Sequence, residues 1–193
     1  MSTDKEKKII YFADKGSGNT ERTIACAVAC CREQSINRIV VASSSGETAL
    51  KVREKADPAC EIIAVTYGAG SRFVEEVEAF HANRPRLEDA GILIVRGIHA
   101  LSATERTFEN KYATKLIPLN LVSDALRMLG QGMKVCVEVA IMAAEHGFVT
   151  PREDVVVIGG SGEGADTAVV LRPAYAAAMF DLRIRQILCK PLG

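Results

Sequence analysis

Two loops and a few isolated ionisable side chains have the residue types and spacing for chemistry. The first loop is Ser43-Ser44-Ser45-Gly46-Glu47-Thr48, which follows the β-branched run Ile39-Val40-Val41 and leads into Ala49-Leu50-Lys51-Val52. A buried strand that breaks into small residues and then turns into a helix leaves backbone N–H groups without intrahelical acceptors. The positive end of the helix dipole lies beside them. The hydroxyls of Ser43, Ser44, Ser45 and Thr48 add donors with little bulk. That chemistry is the binding of an oxyanion. The plain alternative is an ordinary strand-to-helix turn with Ser45 as its N-cap.

The second loop, Gly159-Gly160-Ser161-Gly162-Glu163-Gly164, follows the apolar run Val155–Ile158. Gly160, Gly162 and Gly164 are spaced GxGxG rather than GxGxxG, and the next residues, DTAVVLRP, start a helix poorly. A dinucleotide fingerprint is therefore rejected. The loop can still close over a ligand with its amides, or simply join two strands. Glu138 sits in VCVEVAIMAAEH, a helix apolar on every other side. A carboxylate there is costly unless paired or protonated. It is a candidate general acid/base, or half of an ion pair for which Arg96 and Arg106 qualify by type. His99 ends a strand and can shuttle a proton; Arg96 can hold an anion with two parallel hydrogen bonds. His81 and His146 read as surface or helix-capping residues. No GxSxG, HExxH or Walker A motif is present.

The elements that must position these groups alternate. Residues 8–12 read as a strand, 20–34 as a helix with Ile24, Val28 and Cys31 on one face, and 38–42 as a strand. A helix through about residue 55, a strand over 61–66 and a helix carrying Phe73, Val77 and Phe80, capped by Ser71, follow. Then come a strand over 91–95, an irregular polar stretch over 102–116, and helices from Pro118 and Val135. Strands over 154–158, 167–171 and 185–189 complete the order. Nearly all-apolar strands alternating with amphipathic helices predict an α/β fold: three layers, a mostly parallel sheet with helices on both faces, and an antiparallel strand near the C-terminus. Right-handed crossovers place the loops at 13–20, 43–48, 67–71 and 96–102 along one sheet edge, where ligands of such folds bind. No repeat or linker divides the chain, so residues 1–193 read as a single domain.

Composition narrows the partners. Twenty-four basic residues balance twenty-four acidic ones, which argues against nucleic acid or an anionic membrane as the main partner. No apolar run reaches the length of a membrane span, and MSTDKEKK is no secretory signal, so the expectation is cytoplasmic. The six cysteines form no CxxC pair or zinc pattern and read as small buried hydrophobes in a reducing compartment. No metal is expected.

VVASSSGETAL followed by EIIAVT resembles the carboxyl-terminal α/β domain of pyruvate kinase, whose serine/threonine-rich loop cups a phosphate of an allosteric sugar bisphosphate. The similarity continues through DVVVIGG and TAVVLRP. With KVCVEVAIMAAEHG and GADTAVVLRPA it covers nearly the whole chain, which is similar to the stand-alone pyruvate kinase α/β-domain-like family. That family has no assigned biochemical role, and an association with flavin mononucleotide (FMN) is suggested within it. Two departures matter. Ser161, Gly162 and Glu163 supply neither the aromatic nor the basic residue of the kinase effector loop, so a second phosphate has no partner. Glu47 puts a negative charge beside the first unless its side chain turns away. A catalytic (β/α)₈ barrel needs about 250 residues, so this chain is not itself a pyruvate kinase.

The resemblance implies a domain that binds a monophosphorylated small molecule, FMN or a related nucleotide first. The alternative is a non-catalytic sensor of a phosphorylated metabolite. The phosphate is expected on Ser43, Ser44, Ser45, Gly46, Glu47 and Thr48, with Asn19, Thr20, Gly160, Gly162, Gly164 and Arg96 around the rest. Glu138 and His99 are the candidate proton-transfer groups. Helix faces left over after covering the sheet suggest a homodimer.

Overall fold

The computed structural model describes residue 4 and residues 6–102, 104–114 and 116–193. One seven-stranded sheet runs through it, in the order β1-β7-β6-β5-β2-β3-β4. The strands are β1 (Ile10–Phe12), β2 (Arg38–Ala42), β3 (Glu61–Tyr67), β4 (Leu93–Gly97), β5 (Val155–Gly159), β6 (Thr167–Arg172) and β7 (Arg183–Pro191). All neighbouring pairs are parallel except those of β6, which runs antiparallel to both β5 and β7. The returning strand expected after the glycine loop is thus β6, and the last strand, β7, runs parallel to β1. The first strand is shorter than expected and sits at the far edge, because among the described residues it pairs only with the last strand, β7.

The helices are α1 (Thr20–Gln34), α2 (Glu47–Lys55), α3 (Val74–Asp89), α4 (Glu105–Tyr112), α5 (Pro118–Arg127) and α6 (Gln131–Glu145). Strand alternation splits the core. Ile39, Val41, Ile62, Ala64, Val156 and Ile158 face the α1–α2–α3 side. Val40, Ile63, Val65, Val155 and Val157 face α6, with Met133, Cys136 and Ala140 against them. Successive strand side chains point to opposite faces, and both faces are covered, so the strands carry no polar alternation. α6 is apolar all round because it is covered twice: the sheet lies on one side, and Val137 and Ile141 pack under Leu119, Val122 and Leu126 of α5 on the other. It begins four residues before the apolar run, so its first turn includes Gly132 and the buried Lys134.

Two further helix starts differ from the sequence reading. α2 has Gly46 at its N-cap rather than Ser45, in a left-handed conformation with φ +92°. α3 begins at Val74, because the Ser71 hydroxyl accepts from the Phe73 amide (3.2 Å) and closes a turn before the helix. Among the described residues no helix is long and apolar enough to cross a membrane.

Candidate functional site

The carboxyl ends of β1, β2, β3, β4 and β5 lie along one sheet edge, and α1, α2, α3 and α6 all start from it. That edge brings together loops up to 150 residues apart. Its centre is the serine turn, flanked on the β5 side by the glycine loop and on the β3–β4 side by the segment around His99.

The serine turn is built from its buried member outward. The Ser43 amide donates to Val65 O (3.0 Å), and its hydroxyl accepts from the Ala49 amide (3.2 Å) in the first turn of α2. Ser43 therefore supplies the capping oxygen that Gly46 lacks. The Ser44 carbonyl accepts from Thr66 Oγ1 and the Ser45 carbonyl from Asn83 Nδ2, each at 3.0 Å. A trans peptide plane sets N–H opposite C=O. The N–H groups of Ser45 and Gly46 therefore aim away from Thr66 and Asn83. Among the described residues, no oxygen accepts from the amides of Ser44, Ser45, Gly46 or Thr48. Gly46 is obligatory twice over: its φ is left-handed, and a Cβ there would lie 2.9 Å from Leu87 Cδ1 of α3. The Glu47 carboxylate turns to α3, where Asn83 Nδ2 and Arg86 NH1 each donate to it at 2.9 Å. The negative charge in the first turn is thus drawn off to one side.

The glycine loop is stapled to the loop after β1. Fully buried Asp166 accepts from the Gly16 amide (2.9 Å), the Ser161 amide (3.2 Å) and the Thr167 hydroxyl (2.8 Å). Thr20 Oγ1 accepts from the Ala165 amide (2.9 Å). A Cβ on Gly164 would lie 2.3 Å from Thr20 Oγ1, and one on Gly160 would lie 2.5 Å from Gly164 O. Thr20, Gly160 and Gly164 therefore serve loop-on-loop packing, whereas Gly162 stands at an open tip. Asn19 donates to Asp14 O (2.7 Å) and closes its own loop.

Glu138 meets His99, the other candidate proton-transfer group, within a closed cluster. One carboxylate oxygen accepts from the Leu101 amide (3.0 Å) and the Ser102 hydroxyl (2.8 Å). The other takes Lys134 Nζ at 2.6 Å and lies 3.2 Å from His99 Nδ1. Lys134 also donates to Ser102 Oγ at 3.1 Å. Burial pushes the Glu138 carboxyl up, but the His99 hydrogen bond and the Lys134 charge outweigh it and hold it at about 2. Lys134 moves the other way from a simple ion pair. Its burial lowers the proton affinity more than Glu138 restores it, and Arg127 and Arg106 lower it further. With an ionised carboxylate at 2.6 Å, both partners are charged at neutral pH. The ion-pair partner is Lys134, not Arg96 or Arg106. Arg96 instead donates to Tyr67 O (3.2 Å) and stands 3.0 Å from His81 Nε2, so its guanidinium braces β4 against β3 and α3. Tyr67 stacks with both Phe73 and His99, with ring centroids 5.0 and 5.2 Å away. His146 caps α6, its Nδ1 2.9 Å from Met142 O.

Sequence reasoning missed Lys134, Ser102 and Asp166. Lys134 stands four residues before Glu138, an ion-pair spacing on a helix, and Asp166 follows a glycine loop where side-chain acceptors commonly close turns. A cavity of about 600 Å³ opens at the opposite sheet edge beside Arg38, Glu61 and Glu153, but these side chains are already paired with one another. The described residues hold no His/Cys/Asp/Glu cluster of metal-binding form.

With this geometry in place, comparison with known proteins is informative. The family model described as pyruvate kinase, alpha/beta domain, matches residues 21–171, from the second residue of α1 to the last but one of β6. The chain belongs to that family. Similar solved structures include a pyruvate kinase from Cryptosporidium parvum, at 15% identity over 83% of this chain with a TM-score of 0.43. Another is the Cryptosporidium parvum pyruvate kinase in complex with ADP, at 16% identity over 81% of this chain and a TM-score of 0.38. This chain spans 24% of the length of each.

Proposed function

We propose that this domain binds a small molecule through a single phosphate seated on the amides of Ser44, Ser45, Gly46 and Thr48. The observation that carries the reading is the orientation of the turn. Thr66 and Asn83 hold the carbonyls of Ser44 and Ser45, which turns the next two N–H groups the other way, and Arg86 and Asn83 draw Glu47 aside. Several preset amide donors at a helix start favour an anion without any reorganisation. The hydroxyls of Ser44, Ser45 and Thr48 border the same position.

FMN or a related nucleotide is the candidate ligand from the family resemblance. When bound, a flavin would supply electron-transfer chemistry. Its phosphate matches the turn. No residue is assigned to its ring; Tyr67 already stacks with Phe73 and His99. The role we favour is a sensor of a phosphorylated metabolite rather than an enzyme. It rests on the Glu138 cluster, in which both carboxylate oxygens are already engaged by the protein.

Calorimetric titration with FMN and with riboflavin tests the phosphate assignment. FMN should bind and riboflavin, lacking the phosphate, should bind at least about tenfold more weakly, since charge-assisted hydrogen bonds contribute about 1.5–3 kcal/mol each. The double substitution Ser45→Ala and Thr48→Ala removes two such hydrogen bonds and should weaken FMN at least about a hundredfold. Equal affinity for the two compounds, or an unchanged dissociation constant in the variant, would remove the phosphate from this turn.

A further inference from the structure

The two helical layers present different outer surfaces. Helices α1, α2 and α3 meet solvent with charge. Glu21 of α1 pairs with Lys51 and Lys55 of α2, and Glu47 of α2 pairs with Arg86 of α3. Of the large hydrophobics in these three helices, only Val74 is exposed. On the other layer, α5 has three faces. Leu119, Val122 and Leu126 turn inward to Val137 and Ile141 of α6. Asp124 and Arg127 pair with each other at 2.7 Å on the second face. The third carries Pro118, Leu121, Ala125 and Met128, all exposed, with Leu121 54% and Met128 87% open to solvent. Met128 keeps helical backbone at the C-cap, with φ −60° and ψ −24°. Steps of three, four and three residues hold these four in line along an α-helix.

The stripe is complementary to itself. Its spacing is symmetric about Ser123: Pro118 and Leu121 stand five and two residues before it, Ala125 and Met128 two and five after. An antiparallel second copy, related by a two-fold axis at Ser123, sets Leu121 across from that copy's Ala125 and Pro118 across from its Met128. Leu121 fills the space that the small Ala125 leaves, and Met128 lies over the proline ring. Each contact occurs twice, as an isologous interface requires. Docking also strands no lone charge. The two charged residues of α5 already hold each other at the side of the stripe, where an interface keeps its polar rim.

We propose that the chain forms a reversible two-fold homodimer in which the Pro118–Leu121–Ala125–Met128 stripe of α5 packs antiparallel on its own copy. Such spacing suits helices crossing at about 20°, and Ala125 allows the axes to approach within about 8–10 Å. Leu129 follows the stripe. Phe180, 77% exposed, stands next to Met179, which packs into the α5–α6 cluster. With Leu121 and Met128 they expose on the order of 500 Å², against about 800 Å² that each partner gives a standard interface. The dimer is therefore weak, with a dissociation constant of about 1–100 μM. The pairing is independent of what the serine turn binds.

Sedimentation velocity of the full chain between about 1 and about 500 μM tests this. The native chain should pass from monomer to dimer across that range. Leu121→Asp and Ala125→Arg should each raise the dissociation constant at least about a hundredfold, with far-ultraviolet circular dichroism unchanged. Val74→Asp, on the opposite layer, should leave it unaltered. When Leu121→Cys and Ala125→Cys chains are mixed under mild oxidation, the 121–125 disulfide should form in preference to 121–121 or 125–125. A native chain that stays monomeric throughout would overturn the proposal and leave this face to a different partner. So would a dimer that survives both α5 charge variants, or a disulfide that joins 121 to 121, since either places the contact elsewhere or in another orientation. The native concentration series and the disulfide pairing decide the question even if a charge variant folds poorly.

Discussion

The serine turn and the Glu138 cluster lie on the same sheet edge and are both polar, yet they spend their polarity differently. Around Glu138 the donors and acceptors face inward. Two oxygens take the Leu101 amide, the Ser102 hydroxyl, Lys134 and His99, and the carboxylate is almost wholly buried. In the serine turn the carbonyls are taken by Thr66 and Asn83, and the amides on the opposite side have no protein acceptor among the described residues. The contacts of this buried carboxylate tie the β4–α4 connection to α6. The buried charge is satisfied within the fold, whereas the turn holds amides that the described residues leave unspent.

The largest effect should come from splitting the Glu138–Lys134 pair. Glu138→Gln leaves the Lys134 ammonium buried without its counter-charge and should cost about 3–5 kcal/mol in denaturant unfolding. The double variant Lys134→Met, Glu138→Leu should recover much of that loss, because removing both charges also removes both desolvation penalties. Acid probes the same cluster. The folded-state value of about 2 lies below the ordinary 4.5, so the stabilisation is complete above about pH 4.5 and is lost as pH falls through about 2. That window should carry about 3 kcal/mol of pH-dependent stability in the native chain, and Glu138→Gln should flatten it.

Changes in the turn should be smaller in stability and larger in binding. Gly46→Ala forces a side chain into left-handed backbone and against Leu87, which should cost about 2 kcal/mol and abolish the FMN–riboflavin difference. The smallest stability effect belongs to Arg86→Ala. Its ion pair with Glu47 is more than half exposed at Arg86, so unfolding should shift by no more than about 0.5 kcal/mol. FMN should nonetheless bind more weakly, because Glu47 is freed to swing toward the phosphate. Equal affinity in Arg86→Ala and the native chain would show that Glu47 never opposes the anion.

The contrast was only half legible in the sequence. Local pattern is enough for α1, whose Ile24, Val28 and Cys31 mark the face that the structure buries over Thr20–Gln34. It is also enough for the strand–turn–helix around Ser43, but not for the orientation of that turn, which Thr66, Asn83 and Arg86 set from 22 to 39 residues away. Glu138 was recognisable as a residue needing a partner, but the partner depended on where α6 begins. Lys134 lies before the apolar run and looks like a solvated first-turn residue until α5 and the His99 segment cover it. Asp166 and Thr20 were harder still, because their partners lie about 145–150 residues away and a turn pattern says nothing about which distant loop it will meet. The edge position of β1 has the same origin: its pairing with β7 joins the two ends of the sequence.

The most direct test is an amide-resolved nuclear magnetic resonance titration of the native chain with inorganic phosphate and then FMN. Saturable shifts concentrated at Ser44, Ser45, Gly46 and Thr48, with Leu101 and its neighbours in the Glu138 cluster unmoved, are the predicted result. Silent amides in the turn while other signals saturate, at the Glu138 cluster or around Arg38 and Glu153, would contradict it.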